Sequence, residues 1–259
     1  MKIITLLTDF GHQSHYAAVM KGVMLSLNPA VQLVDITHEV PPQDVFHGAW
    51  LLAEAAPYFP AGTIHLAVVD PGVGTERACA AAKLGDQFFV APDNGLLGIV
   101  ARRLPPAEVV RLDRPDFRRA VVSNTFHGRD IMAPAAAHLS LGVPLRDLGP
   151  RIDALQPLPF PEVQRGDDCV TGCVIWVDGF GNLVTNIRRE ALPEAAAGQA
   201  VVTCGERPLC DWVHTYAERP AGSCVILFGS SDYLEIAVVR GSAAEELQAK
   251  PGTPVRVQW

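Results

Sequence analysis

The chain has 259 residues, the length of one large domain or two ordinary ones at roughly 150 residues per domain. Hydrophobic residues make up 49% and charged residues 19%, a composition that supports a sizeable core and excludes a disordered chain. With 21 basic against 28 acidic residues the formal charge is −7 and no polybasic run is present, which argues against a nucleic-acid partner. Residues 2–8 read as a buried strand, and residues 16–27 as a helix with apolar side chains at 16, 19, 20, 23, 24 and 27. Residues 31–37 form a second strand. Pro41-Pro42-Gln43-Asp44 then offers Asp44 as the N-cap of a helix running to about residue 58. A third strand, 63–69, ends in Asp70-Pro71-Gly72-Val73-Gly74, and 78–83 with 87–91 form a hairpin turning at Gly85-Asp86. A short helix (96–103), a strand (108–112) and a helix (129–141) follow. Strands that alternate with helices imply an α/β domain with a mostly parallel sheet.

Composition changes at Leu155-Gln156-Pro157-Leu158-Pro159-Phe160-Pro161, where three prolines at alternate positions make a stiff, extended linker. Beyond it the strands predicted are 169–177, 183–187, 200–203, 223–227, 233–239 and 255–258, with one helical stretch at 243–248. Two domains are therefore expected: an α/β domain over 1–155, and a smaller all-β, barrel-like domain over 162–259. The apolar run at residues 3–7 is strand length rather than the core of a signal peptide. No window approaches the roughly 18 apolar residues of a membrane span. Of the six cysteines none forms a C-x-x-C pair, and Cys169 and Cys173 would lie about 13 Å apart on one strand face. Free thiols in a reducing cytoplasm are expected, with no zinc site.

Polar residues gather in four turns, each after an apolar strand or before a helix. They are Thr8-Asp9-Phe10-Gly11, Asp70-Pro71-Gly72-Val73-Gly74, Pro92-Asp93-Asn94-Gly95 and Thr125-Phe126-His127-Gly128-Arg129-Asp130. In an open parallel sheet, ligands sit beyond the carboxyl ends of the strands, where Asp9 and Asp70 fall. Each turn alone is ordinary turn chemistry, and their convergence on one sheet end is what makes a site. His127, flanked by Phe126, Arg129 and Asp130 before a helix, is a candidate acid/base group. Asp9, His12 and His15 lack the i, i+4 spacing of a helical metal-ligand pair, so no metal is expected. Neither a dinucleotide-binding glycine motif nor a phosphate-binding P-loop is present. In the second half, residues Asp178 to Ile187 put a carboxylate, an aromatic ring and amides in one hairpin, and Ser230 and Ser231 lie in a polar turn between apolar strands.

These motifs, in this order, resemble the family of S-adenosyl-L-methionine (SAM) hydrolases, also called SAM hydroxide adenosyltransferases, which is sister to the SAM-dependent fluorinases and chlorinases. The resemblance spans essentially the whole chain. It implies attack of water or hydroxide on ribose C5′, giving adenosine and L-methionine. It implies that Asp70, Arg77 and His127 handle hydroxide, with Phe126 of the same loop among the substrate contacts. Asp9 resembles the ribose-diol ligand, Phe180 and Tyr216 rings flanking adenine, and Asp178 the partner of the methionine ammonium. Asn182 resembles an amide contacting the nucleoside, and Ser230 and Ser231 the residues meeting the methionine carboxylate. The halogenase pattern is departed from: Gly128 stands where those enzymes hold halide with a serine, Asp70 replaces an uncharged residue, and Val184 replaces a tryptophan. A homotrimer is implied, with sites between the first domain of one subunit and the second domain of its neighbour.

The chemistry fits these residue types. Water has a pKa near 15.7, so a nucleophile at neutral pH needs an acceptor for its proton. Asp70 and His127 can supply acceptors, and Arg77 can hold the carboxylate by a two-pronged contact. Attack on a sulfonium destroys charge, so a dry, ring-lined pocket favours it, and no cofactor is required beyond the substrate SAM. Two rival readings are a halide-using adenosyltransferase and a non-catalytic SAM or adenosine sensor. The sensor would need Asp9, Asp178 and Phe180 but not the Asp70, Arg77, His127 set.

Overall fold

The apolar run at the start of the chain forms β1 (Ile3–Thr8), buried on nearly every residue as a strand inside a parallel sheet must be. The computed structural model describes residues 2–194, 196 and 198–259. The chain divides into two compact units, Met1–Pro159 and Phe160–Trp259.

In the first unit β1 leads into α1 (Tyr16–Leu27), β2 (Gln32–Thr37) and α2 (Val45–Ala55). The expected cap is present: Asp44 Oδ1 accepts from the His47 amide at 2.9 Å. A 3-10 turn at Ala56–Tyr58, containing Pro57, closes that helix. Then come β3 (Ile64–Val68), β4 (Cys79–Leu84), β5 (Gln87–Pro92), α3 (Gly98–Arg103) and β6 (Pro106–Arg111). The helix expected at 129–141 starts with one turn of π-helix, Gly128–Met132, before α4 (Ala133–Ser140). Such wide turns are frequent at functional sites.

The six strands order as β2-β1-β3-β5-β4-β6. The β1–β2, β1–β3 and β3–β5 pairings are parallel, while β4 runs antiparallel to both β5 and β6. The antiparallel part follows from the Gly85-Asp86 turn, which folds β4 directly onto β5. On one face of the sheet α1 and α4 bury Met20, Met24, Ala135 and Ala136 against Ile4, Leu6 and Leu66. Burying each of the larger side chains stabilises the unit by about 1.5–3 kcal/mol.

The second unit is strand after strand: β7 (Gln164–Arg165), β8 (Cys169–Val177), β9 (Leu183–Arg188), β10 (Val201–Cys204), β11 (Arg207–Leu209), β12 (Cys224–Phe228) and β13 (Tyr233–Val238). A single helical turn, α5 (Ala243–Glu246), precedes β14 (Pro254–Gln258). The order is β11-β10-β14-β8-β9-β13-β12, with β7 beside β8, and every pairing is antiparallel. Register shifts at Val174/Trp176 and Tyr233/Glu235 bend the strands. Trp212 bridges Ile226 on β12, drawing the two ends of the sheet together into a nearly closed barrel. Its interior holds Val170, Ile187, Val202, Ile236 and Val257.

Candidate active site

Asp9 directly follows β1 and Asp70 lies two residues beyond β3, so both leave the carboxyl end of the parallel strands. Arg77 sits just before β4, and its guanidinium grips Asp70 with two prongs: Nε donates to Oδ1 at 2.8 Å and Nη2 donates to Oδ2. The same Nη2 lies 3.1 Å from His127 Nδ1, and Nη1 donates to Cys79 Sγ at 3.0 Å. The two ends of the pair are almost out of solvent, with the Asp70 side chain 7% and the Arg77 side chain 10% exposed. Burial works against the Arg77 charge, yet the Asp70 carboxylate outweighs it and raises the guanidinium pKa.

A guanidinium has no lone pair to give, so His127 Nδ1 must be the acceptor of that contact. Neutral His127 therefore carries its proton on Nε2. Burial, reinforced by the Arg77 charge and opposed by Asp70 and Asp130, lowers the His127 pKa below the usual histidine value. The sequence expectation that both Asp70 and His127 act as acceptors is thus changed in one respect: the free nitrogen of His127 is a donor.

The loops carrying these groups are held face to face. Gly74 has φ +81°, and a Cβ there would lie 2.4 Å from the Asn124 carbonyl oxygen, so only glycine allows the approach. Asp130, fully buried, accepts from Arg129 Nε at 2.7 Å and from the Ser123 amide at 2.9 Å, and Ser123 Oγ in turn accepts from the Phe126 amide. At Gly128 a Cβ would meet Met20, Val68 and Phe126 at 3.2–3.4 Å, so a serine there would force neighbours to give.

The cleft formed in this unit measures about 410 Å³ and is lined by Asp9, Gln43, Asp70, Phe126 and His127, among others. The rings of Phe10, Tyr16 and Phe126 meet edge to face in its wall, with centroids 5.2–5.8 Å apart. Asp9 Oδ2 accepts from the Gln43 amide at 2.8 Å, and Gln43 is held at φ +66°. The Pro92-Asp93-Asn94-Gly95 turn is not among the lining residues. Its polar atoms serve the chain itself, Asn94 Nδ2 donating to the Val69 carbonyl and Asp93 Oδ1 accepting from the Gln156 amide. His12 lies 3.8 Å from Glu39 at the surface. Among the described residues no group of three or more His, Cys, Asp or Glu side chains is arranged to hold a metal ion.

In the second unit Asp178 organises its own turn. It accepts from the Phe180 amide at 2.8 Å, the Asn182 amide at 2.9 Å and Asn182 Nδ2 at 2.9 Å. The result places Phe180 outward, 81% exposed, while Asn182 is buried. Tyr216 is half exposed and donates its hydroxyl to Glu235, a buried carboxylate of the same polar segment as Ser230 and Ser231. Burial raises the Glu235 pKa despite that hydrogen bond, and Asp178 adds to the effect. Ser230 is exposed and Ser231 half-buried in the turn from β12 to β13.

Residues 4–149 match the SAM hydroxide adenosyltransferase N-terminal domain, and residues 172–256 match the C-terminal domain of the same name. The chain belongs to the SAM hydroxide adenosyltransferase family. One relative in this family's range is the (R)-S-adenosyl-L-methionine hydrolase of Salinispora arenicola, 41% identical over 98% of this chain and 97% of that protein. A fluorinase of Nocardia brasiliensis is more distant, 29% identical over 99% of this chain and 96% of its own. The crystal structure of an uncharacterized conserved protein from Thermotoga maritima superposes with a TM-score of 0.93 at 36% identity, covering 99% and 100% of the two chains.

Phe10, Tyr16, Gln43 and Cys79 were absent from the sequence-derived set. Only Phe10, beside Asp9 in its motif, carried a local signal. The other three are brought in by chain packing.

Proposed function

We propose that this member of the SAM hydroxide adenosyltransferase family hydrolyses SAM to adenosine and L-methionine by attack of water or hydroxide on ribose C5′. The contact of Arg77 with both Asp70 and His127 at the wall of the cleft carries the reading. Arg77 occupies one lone pair on each Asp70 oxygen, and a carboxylate keeps others with which to accept a proton from water. His127 Nε2–H donates to the oxygen nucleophile and orients it. The guanidinium offsets the charge of Asp70, so that an anionic oxygen can be held beside a carboxylate. Loss of charge as the sulfonium is displaced favours a cleft walled by Phe10, Tyr16 and Phe126.

In this reading Asp9 binds the ribose diol and Phe126 packs on the substrate. Phe180 and Tyr216 flank adenine, Asn182 contacts the nucleoside, Asp178 meets the methionine ammonium, and Ser230 and Ser231 meet its carboxylate. Asp178 already holds its turn, yet its remaining lone pairs leave room for an ammonium. The assembly is a homotrimer, each site taking the first unit of one copy and the second unit of its neighbour. No cofactor takes part, because the sulfonium is its own leaving group. A cytoplasmic location is inferred from the six free cysteines, which suit a reducing compartment. Among the described residues no helix is long and apolar enough to cross a membrane.

The test is incubation with SAM in oxygen-18 water, with products identified by mass. Adenosine labelled at the 5′-hydroxyl, together with methionine, is expected. Unlabelled adenosine, or SAM left intact, overturns the reading.

A further inference from the structure

Behind the Asp9 turn runs a chain of polar contacts that no step of the reaction uses. Thr8, the fully buried last residue of β1, has its Oγ1 2.8 Å from His38 Nδ1. His38 is buried as well, and its Nε2 lies 3.2 Å from Asp35 Oδ1 on β2. Asp35 Oδ2 accepts from Lys21 Nζ of α1 at 2.6 Å. At the other end Thr8 Oγ1 accepts from the Phe10 amide at 3.3 Å, and the His38 carbonyl accepts from the Gly11 amide at 2.7 Å. His38 thus touches the turn on both sides of Asp9, by side chain through Thr8 and by backbone through Gly11. His12 packs its ring edge to face on His38 at 5.6 Å.

The chain has a direction. The Phe10 N–H donates to Thr8, so the hydroxyl proton of Thr8 is free to point at His38 Nδ1. Neutral His38 then keeps its own proton on Nε2, facing the Asp35 carboxylate. The Nε2 proton lies within ion-pair distance of Asp35 without the alignment of a hydrogen bond, and the order ends on an acid held by a lysine. A buried histidine wired between an acid and a hydroxyl is a costly arrangement to keep for packing alone, where an apolar side chain would serve.

We propose that His38 is a positioning residue for substrate binding: through Thr8 and through its own carbonyl it fixes the turn that presents the Asp9 carboxylate to the ribose diol. This rests on the reading of Asp9 given above. His38 does not touch substrate. Its effect is on the grip exerted before the reaction, which belongs in KM rather than kcat when ground and transition states share the contact.

The experiment measures kcat and KM for SAM in Thr8→Val, His38→Leu, His38→Asn and Asp9→Asn, and in Thr8→Val combined with Asp9→Asn. Thr8→Val and His38→Leu are expected to raise KM about tenfold with kcat within about twofold, the scale of one lost hydrogen bond. His38→Asn, whose side-chain oxygen can replace Nδ1 as acceptor, should return KM most of the way. In the Asp9→Asn background Thr8→Val should add less than about twofold, because the group it positions is already gone. An unchanged KM in Thr8→Val, or a full tenfold added on top of Asp9→Asn, overturns the proposal. Should His38→Leu fail to fold, Thr8→Val, which differs from native by the hydroxyl alone in shape, still decides it. A wild-type KM in Asp9→Asn would instead strike the ribose role of Asp9 and remove the proposal with it.

Discussion

Arg77 distributes its donors over three partners, Asp70, His127 and Cys79, and that distribution sets the proton state of the site. Burial lowers the His127 pKa, and Arg77 on Nδ1 adds to it, since a second proton on the ring would put two cations in contact. Activity should accordingly hold as pH drops to the ordinary histidine range near 6.5 and decline only at lower pH, as the depressed group titrates. A kcat-against-pH profile checks this, and a decline centred above 6.5 contradicts it. Asp70→Asn and His127→Asn should each cut kcat by about 10²–10⁴-fold. KM should stay within a few-fold, as read by steady-state kinetics, because neither group is assigned to binding. Asp70 and His127 were legible in the sequence through their turn motifs, and Arg77 through the family resemblance alone. Cys79 reads in the sequence as one of six free thiols, and burial does push that thiol up, yet it also anchors the third edge of Arg77. That role depends on where β4 starts relative to β3, which no local pattern encodes.

At the level of elements, the site depends on two loops that share one close approach. Gly74→Ala places a Cβ against the Asn124 carbonyl oxygen and demands φ +81° of a residue with a side chain. Turnover should fall at least tenfold through displacement of the His127 loop, with a loss of about 1–3 kcal/mol in urea unfolding. Wild-type turnover in that variant would mean that the loops can part without harm. The longer elements were readable because their apolar spacing is strong: α1 spans Tyr16–Leu27 and β8 spans Cys169–Val177, the ranges their periodicity predicts. The two-residue β7 and three-residue β11 were missed, since so few residues carry no period. The π turn at Gly128–Met132 reads as plain helix in the sequence, since a single wide turn leaves no period of its own; within it Asp130 accepts from the Ser123 amide of the loop before.

For the whole molecule, the groups assigned to one substrate lie in two units of the chain. If each site joins units of different copies, Asp70→Ala and Asp178→Ala proteins, both inactive, should regain activity when unfolded, mixed and refolded together. Some sites then pair an intact first unit with an intact second unit, as a head-to-tail ring allows. A mixture as inactive as its parents, alongside refolded wild type that works, rules out the shared site. The nearly closed strand path of the second unit has a separate consequence. An open antiparallel sheet offers its rim as a template on which foreign strands can add. Here the Trp212 contact with Ile226 gives the rim strand β12 a neighbour from the same chain. A unit composed almost wholly of strands is thereby guarded against edge-to-edge aggregation at that rim.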